Sequence, residues 1–148
     1  MKPNNDIVQT ALKYLERRSY SQHQLEVKLA SAGFGAIEIA GVVERLLGWA
    51  YLNDYEFGLE RIRLLIERCK SRAYVCEDLH ACGMALKLID ELIAKEYPIA
   101  LEAQVAAHFL AKRPSSWRNS PLWAVQALTR AGFSDETIRS CLGEPPPT

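Results

Sequence analysis

Three glycines, each followed by a large apolar residue, recur at almost equal intervals along the chain. The glycines lie 50 and 49 residues apart. Glycine adopts the left-handed conformation that ends many α-helices, and the apolar residue after it packs back on the last helical turn. Each pair therefore predicts a corner between two helices. The three pairs are Gly33-Phe34, Gly83-Met84 and Gly132-Phe133.

The residues around the glycines keep the same register in all three copies. A leucine precedes each glycine by four positions, an isoleucine follows it by six, and an aliphatic residue follows it by ten. A spacing of four fits one face of a helix after the corner. Aligned columns of this kind indicate an internal repeat. The columns are Leu29, Leu79 and Leu128, then Ile39, Ile89 and Ile138, then Val43, Ile93 and Leu142.

Helix-start signals precede two of the three corners. Ser21 with Gln24 three residues later forms a capping box, and Ser120 followed by Pro121 forms an N-cap and a first-turn proline. The middle copy shows no clear start, and its helix is placed at about 74–82. Two of the three helices that end at a glycine corner therefore have a predicted start.

A third helix with one apolar face precedes each pair, at residues 7–18, 54–71 and 99–112. The chain is therefore predicted to be all-α, an elongated array of three tandem three-helix repeats with nine helices. Stacking of neighbouring repeats would complete a core that a single triplet is too small to bury. The predicted divisions are repeats at 1–53, 54–97 and 98–143, and an unstructured tail at 144–148.

The composition favours a helical protein of the cytoplasm. Ala, Leu, Glu, Lys, Arg and Gln together outnumber the strand-forming Val, Ile and Thr. The N-terminus lacks the apolar stretch of a secretory signal, and no run of about 18 apolar residues would span a membrane. The four cysteines show no paired spacing, so we expect them to be reduced. We expect a cytoplasmic monomer that does not contact a membrane.

Positive charge is concentrated in two segments, although the net charge of the chain is zero. Residues 61–72 hold five basic residues and one acid (5 − 1 = +4), and residues 112–130 hold four basic residues and no acid (+4). At helical spacing Arg61, Arg68 and Arg72 fall on one stripe, which could hold phosphates or carboxylates. The alternative is a solvated helix face with glutamates as intrahelical partners.

The segment 112–118 combines basic groups with an aromatic ring. Lys112, Arg113 and Arg118 accompany Trp117, a composition that suits stacking on nucleic acid bases. The alternative is that Trp117 closes the core of the third repeat, because large aromatic side chains are usually buried. We expect two other tryptophans, Trp49 and Trp123, to belong to the core.

No set of residues suits catalysis or metal binding. Cys76 and His80 share a helical face, but Cys82 points elsewhere and a fourth ligand is missing. A helix-turn-helix that reads base edges is also excluded, because helix 36–48 presents mainly Ile, Val and Leu. We therefore expect a non-enzymatic binding protein without cofactor or metal.

Three motifs, in order, resemble the RecX family of RecA regulators. A basic helix end leads into residues 21–29, which follow the family pattern S-x-x-E/Q-L-x-x-K-L. Residues 49–57, W-A-Y-L-N-D-Y-E-F, resemble the junction G-Y-L-D-D-x-x-F. Residues 128–138, L-T-R-A-G-F-S-D-E-T-I, resemble the closing pattern L-x-x-R-G-F-x-x-x-x-I.

The resemblance covers nearly the whole chain and implies the family's fold of three three-helix repeats. It also implies binding to the RecA filament on single-stranded DNA and inhibition of its recombinase, ATPase and co-protease activities, in DNA repair and the SOS response. The linker at residues 70–79 lacks the glycines that the family carries there. A diverged scaffold for another partner is the alternative, since the family is basic and this chain is neutral.

The candidates for contact with RecA, and weakly with single-stranded DNA, are the basic residues of these segments and one tryptophan. They are Arg17, Arg18, Lys28, Arg61, Arg63, Arg68, Lys70, Arg72, Lys112, Arg113, Trp117, Arg118 and Arg130.

Overall fold

The computed structural model describes residues 4–113 and 121–142, and over these two ranges the chain forms nine α-helices and no β-strand. The all-α fold predicted from the repeat is thereby confirmed. In chain order the helices are α1 (Asn4–Arg17), α2 (Gln22–Ser31), α3 (Ala36–Gly48), α4 (Asp54–Glu67), α5 (Arg72–Ala81), α6 (Leu86–Glu96), α7 (Ile99–Ala111), α8 (Pro121–Arg130) and α9 (Asp135–Leu142).

The helices pack in consecutive sets of three. The closest helix–helix contacts join α1, α2 and α3 to one another, then α4, α5 and α6, then α7, α8 and α9. This confirms the architecture of three tandem three-helix repeats. The limits of the repeats at residues 53, 97 and 143 remain predictions. None of the described helices has the length and apolar character needed to cross a membrane.

The three glycine corners have the predicted geometry. Gly33, Gly83 and Gly132 take φ angles of 97°, 81° and 89°, in the left-handed region. At the first corner the N–H of Phe34 donates to the carbonyl of Leu29 at 3.2 Å, which completes a Schellman turn, and equivalent bonds form at the other two. The residue after each glycine is buried and closes the end of the helix.

The middle repeat begins its second helix earlier than predicted. The Ser71 side chain accepts a hydrogen bond from the N–H of Tyr74 and caps a helix that starts at Arg72. The preceding helix therefore ends at Glu67 instead of residue 71. Because Arg61 and Arg72 lie on different helices, the prediction of one arginine stripe along a single helix is wrong.

The structure also corrects the prediction that Trp49 belongs to the core. Trp49 follows the end of α3 and is 48% exposed, with its ring edge-on to Tyr51 and the Arg45 guanidinium 4.9 Å from its centre. Trp123 is half-buried on α8. Trp117 and Arg118 lie outside the described residues.

The buried apolar residues form two clusters. One lies among α1, α2 and α3 and includes Leu25, Leu29 and Leu46. The other runs through α4 to α9 and contains Tyr97, which is fully buried. The second and third repeats therefore share one continuous core, which fixes their relative position.

Polar contacts at helix starts join the first repeat to the second. The Gln22 N–H at the start of α2 donates to Asp54 Oδ1 at 2.8 Å, and the Ser21 hydroxyl donates to the carbonyl of Cys82 at 2.6 Å. A side-chain carbon at position 83 would collide with His23, so glycine is also required there for close packing. The start of α2 is thus held against the first helix and the corner of the next repeat.

Glu102 makes the equivalent contacts between the second and third repeats. Its Oε2 accepts the Arg72 N–H at the start of α5 at 2.8 Å. Its Oε1 accepts the Thr137 hydroxyl at 2.7 Å and the Ser134 N–H at 3.2 Å, at the start of α9. Burial opposes ionisation, but the hydrogen bonds from Thr137, Arg72 and Ser134 outweigh it and hold the pKa of Glu102 below its ordinary value. One buried carboxylate therefore caps two helices.

We predict that Ala50→Gly stabilises the protein. Ala50 is exposed and closes α3 at φ 61°, a left-handed conformation that strains a residue with a Cβ. Relief of that strain should raise the free energy of unfolding, measured in urea, by about 0.5–1 kcal/mol. Ala32→Gly is the matched control, because Ala32 has a φ of −80° and glycine should destabilise the protein there. A loss of stability in Ala50→Gly would contradict this account of the α3 end.

We predict that Glu102→Gln lowers the free energy of unfolding by about 1–3 kcal/mol at pH 7, because an amide leaves buried donors without an acceptor. The folded-state pKa of Glu102 is depressed, so the stabilisation is complete above the unfolded-state pKa. This stabilisation is lost as the pH falls through the lower pKa that Glu102 has in the folded state. The difference between wild type and variant in chemical unfolding should therefore shrink in acid. Glu91→Gln is the control, because Glu91 is an exposed residue of α6, and an equal effect there would refute the role of Glu102.

Candidate functional site

A groove between the second and third repeats brings together five of the twelve predicted basic residues. It encloses about 350 Å³ where the ends of α4, α7 and α8 meet the first turn of α5. A neighbouring cavity of about 500 Å³, which adds Trp123 and Gln126, shares part of its wall. We call the two together the basic groove. The first cavity is lined by Cys69 and Ala131 and by the basic and aromatic side chains of Arg68, Lys70, Tyr74, Phe109, Lys112, Arg113 and Arg130.

Helix ends place these cations. Arg68 is the C-cap of α4, Lys112 is the C-cap of α7, and Arg130 is the last residue of α8. Lys70 follows a turn in which Cys69 takes a φ of 59°. Basic side chains are favourable at such positions because a helix C-terminus carries a partial negative charge. Three helix ends that converge therefore bring their basic caps together.

The groove holds more positive charge than the helix ends balance. Three helix C-termini contribute about −1.5 elementary charges in total, at about half a charge each. The groove carries five cationic side chains, and none of the described residues that line it is Asp or Glu. The described side chains that line the groove therefore carry a net positive charge. A surplus of this kind attracts anionic ligands.

Aromatic rings lie beside these cations. The Lys70 ammonium lies 4.7 Å from the centre of the Tyr74 ring, and the Arg113 guanidinium lies 4.1 Å from that of Phe109. These are cation–π distances. Tyr74 is 41% exposed, and Trp123 contributes a half-buried ring to the second cavity. The groove thus offers both charge and flat apolar surface.

Arg61 and Arg72 lie outside the groove and are engaged with other residues. Arg61 makes a bidentate ion pair with Asp78 at 2.7 and 2.9 Å, and this hydrogen bonding raises the pKa of Arg61. The Nε of Arg72 donates to the carbonyl of Tyr97 at 2.7 Å. Both side chains therefore help to hold helices together, a role that spacing along the sequence does not reveal.

The remaining predicted cations are spread over other surfaces. The exposed Arg63 lies 3.8 Å from the half-buried Glu96 in an ion pair. In the first repeat, Arg18 donates a hydrogen bond to Gln24 and lies over the Tyr20 ring. Lys28 lies 5.4 Å from the centre of the Tyr14 ring. Arg17 is exposed in the last turn of α1. The structure therefore brings together Arg68, Lys70, Lys112, Arg113 and Arg130, and does not place these others among them.

Sequence reasoning missed the aromatic side chains of the groove. The sequence pattern did not single out Phe109, and Trp123 was expected to belong to the core. The available signal was Tyr74, the tyrosine that the linker at residues 70–79 shares with the family pattern. Among the described residues, no three His, Cys, Asp or Glu side chains are grouped so as to hold a metal ion. The chemistry that this site offers is the binding of anions.

Comparison with known proteins identifies the family. A model of the first three-helix domain of RecX matches residues 8–46. The regulatory protein RecX of Pelodictyon phaeoclathratiforme is 34% identical over 134 residues, which cover 89% of this chain and 84% of that protein. The regulatory protein RecX of Halorhodospira halophila is 28% identical over 134 residues, with 88% and 82% covered.

A solved structure shows the same fold. The crystal structure of RecX from Lactobacillus salivarius superposes with a TM-score of 0.82 at 21% identity, and the match covers 95% of this chain and 94% of that one. The fold, the repeat and the similarity over most of both chains agree. This chain belongs to the RecX family of regulatory proteins.

Proposed function

We propose that this protein binds the RecA filament on single-stranded DNA in the cytoplasm and inhibits its recombinase, ATPase and co-protease activities. The observation that carries the proposal is the basic groove, a concentration of positively charged side chains in a member of a regulatory family. A nucleoprotein filament presents phosphates and acidic side chains, which such a surface attracts.

The neutral net charge is compatible with this function because the charges are separated. The basic groove lies at the ends of α4, α7 and α8, whereas Glu77 on α5 and Asp90 and Glu91 on α6 are exposed acids that do not line it. Such an asymmetric distribution orients a protein as it approaches a charged partner, even when its net charge is zero. The groove would therefore meet the filament first.

Inhibition would follow from occupancy of the RecA filament by this protein. The protein would act by filling a position on the filament, so its effect should depend on binding affinity. Neighbouring repeats that share a core present the groove on a rigid support, which limits the entropy lost on binding. Changes to exposed groove cations should therefore reduce inhibition without changing the fold.

The test is RecA-dependent ATP hydrolysis on single-stranded DNA with this protein titrated in. We expect the wild type to inhibit at concentrations below that of RecA. Arg68→Glu/Lys112→Glu reverses two exposed groove charges and should raise the half-inhibitory concentration at least about tenfold, equivalent to about 1.4 kcal/mol of binding free energy.

The matched control is Lys13→Glu/Lys87→Glu, which makes the same change of net charge at exposed positions that do not line the groove. The control should inhibit like the wild type. An equal loss of inhibition in both double variants would show that the effect depends on net charge and not on the groove. Absence of inhibition by folded wild type in excess would refute the proposal and favour the alternative, a helical scaffold for a partner other than RecA.

A further inference from the structure

We infer that an exposed aromatic patch at the end of α3 binds the proline-rich segment 144–147 of a second copy of this chain. The patch consists of Arg45, Trp49 and Tyr51. It belongs to the first repeat, and its residues are not among the described lining of the basic groove. The inference therefore goes beyond the proposed function and does not depend on it.

The patch exposes apolar surface that the fold leaves in contact with water. Trp49 is 48% exposed and Tyr51 is 61% exposed. Tryptophan, tyrosine and arginine are the residue types that contribute most to contacts between proteins. Ala50, between the two rings, takes a φ of 61°, which strains a residue with a Cβ. Because backbone strain is concentrated at functional sites, this conformation is a second indication that the patch binds a partner.

The geometry of the two rings suits a polyproline II chain. Their centres lie 6.3 Å apart and their planes meet at 86°, so the rings form two walls of a corner. A polyproline II chain rises about 3.1 Å per residue, so residues two positions apart are separated by about 6 Å. Two such prolines would each meet one ring. Aromatic surfaces bind proline-rich segments well because the segment already has its bound conformation and loses little entropy.

This chain contains a segment of that kind, outside the described residues. Residues 144–147 read Glu-Pro-Pro-Pro, and the first and third prolines are two positions apart. Arg45 is exposed, and its guanidinium lies 4.9 Å from the centre of the Trp49 ring. With Pro145 against Trp49, the carboxylate of Glu144 would lie close enough to pair with Arg45. The ion pair would set the direction of the segment on the patch.

The segment would come from a second copy because it is too short to reach the patch in its own molecule. In the described structure α9 packs mainly on α7 and α8, whereas α3 packs mainly on α1 and α2. The ends of α3 and α9 lie two repeats apart, a separation of about 20 Å or more at roughly 10 Å between packed helices. The chain from Leu142 to Pro146 spans at most about 14 Å. The contact would therefore link the third repeat of one copy to the first repeat of another.

The contact is small and therefore weak. Two rings and one ion pair bury much less than the roughly 800 Å² per partner of a stable interface. The protein would therefore be monomeric when dilute and would associate where copies are concentrated. Copies bound side by side on one large partner have a high effective concentration, so the contact would make their binding cooperative.

A titration of two complementary variants tests the contact without allowing chains of molecules to form. The first variant, Pro145→Ala/Pro146→Ala/Pro147→Ala, keeps the patch and is labelled with ¹⁵N. The second variant, Trp49→Ala, keeps the segment and is added without label up to about 1 mM. In heteronuclear NMR spectra, we expect the indole N–H signal of Trp49 and the amide signal of Tyr51 to shift along one saturating curve.

The matched control is an unlabelled chain with all four substitutions, which should leave these signals unchanged. A charge exchange tests the ion pair separately. Glu144→Arg in the unlabelled variant should weaken binding about 1.5- to 5-fold, the range for an exposed ion pair. Addition of Arg45→Glu to the labelled variant should then restore the affinity, because opposite charges again face each other.

Three results would overturn the inference, provided that circular dichroism shows folded variants. Unchanged Trp49 signals throughout the titration would show that the patch does not bind the segment. Equal shifts with the control chain would show that the copies associate through another surface. Signals that differ between wild type and the triple proline variant at every dilution would place the segment in its own molecule. None of these readouts contains RecA, so the proposed function is tested separately.

Discussion

A carboxylate at the start of one repeat accepts a backbone N–H at the start of a helix in the repeat before it. Asp54 holds the start of α2 in this way, and Glu102 holds the start of α5. The first N–H groups of a helix have no partner within the helix, and leaving one buried without a partner costs about 1–3 kcal/mol. The same bonds that cap each helix therefore fix the position of the next repeat.

The basic groove depends on this second joint. Glu102 ties α5 to α7 and α9, and the Tyr97 hydroxyl donates to the carbonyl of Lys70 at 2.7 Å, which holds the end of α4 in place. These contacts bring the C-termini of α4, α7 and α8 together, and the basic caps that each helix favours become a cluster. The binding surface thus arises from the stacking of the second and third repeats. Each of its cations is locally favourable because it lies near a helix C-terminus.

The features predictable from sequence are those whose cause is local. The corner at Gly33 and the cap at Ser21 depend on residues within one turn, and both predictions are confirmed. The end of α4 was placed too late because Cys69, not glycine, takes the left-handed conformation there, so no residue type marked it. The partners of Arg61 and Arg72 lie 17 and 25 residues away, and only packing reveals them. The sequence therefore predicted the basic residues of the groove but not that they converge at one site.

The central claim is that the basic groove is the surface that contacts the RecA filament. Hydrogen–deuterium exchange of this protein, measured with and without RecA bound to single-stranded DNA, tests it most directly. The account predicts slower exchange on binding in peptides from the end of α4 into α5 and from the end of α7, with α3 little changed. Slower exchange confined to α1, α2 and α3, with unchanged exchange around Arg68 and Lys112, would contradict it.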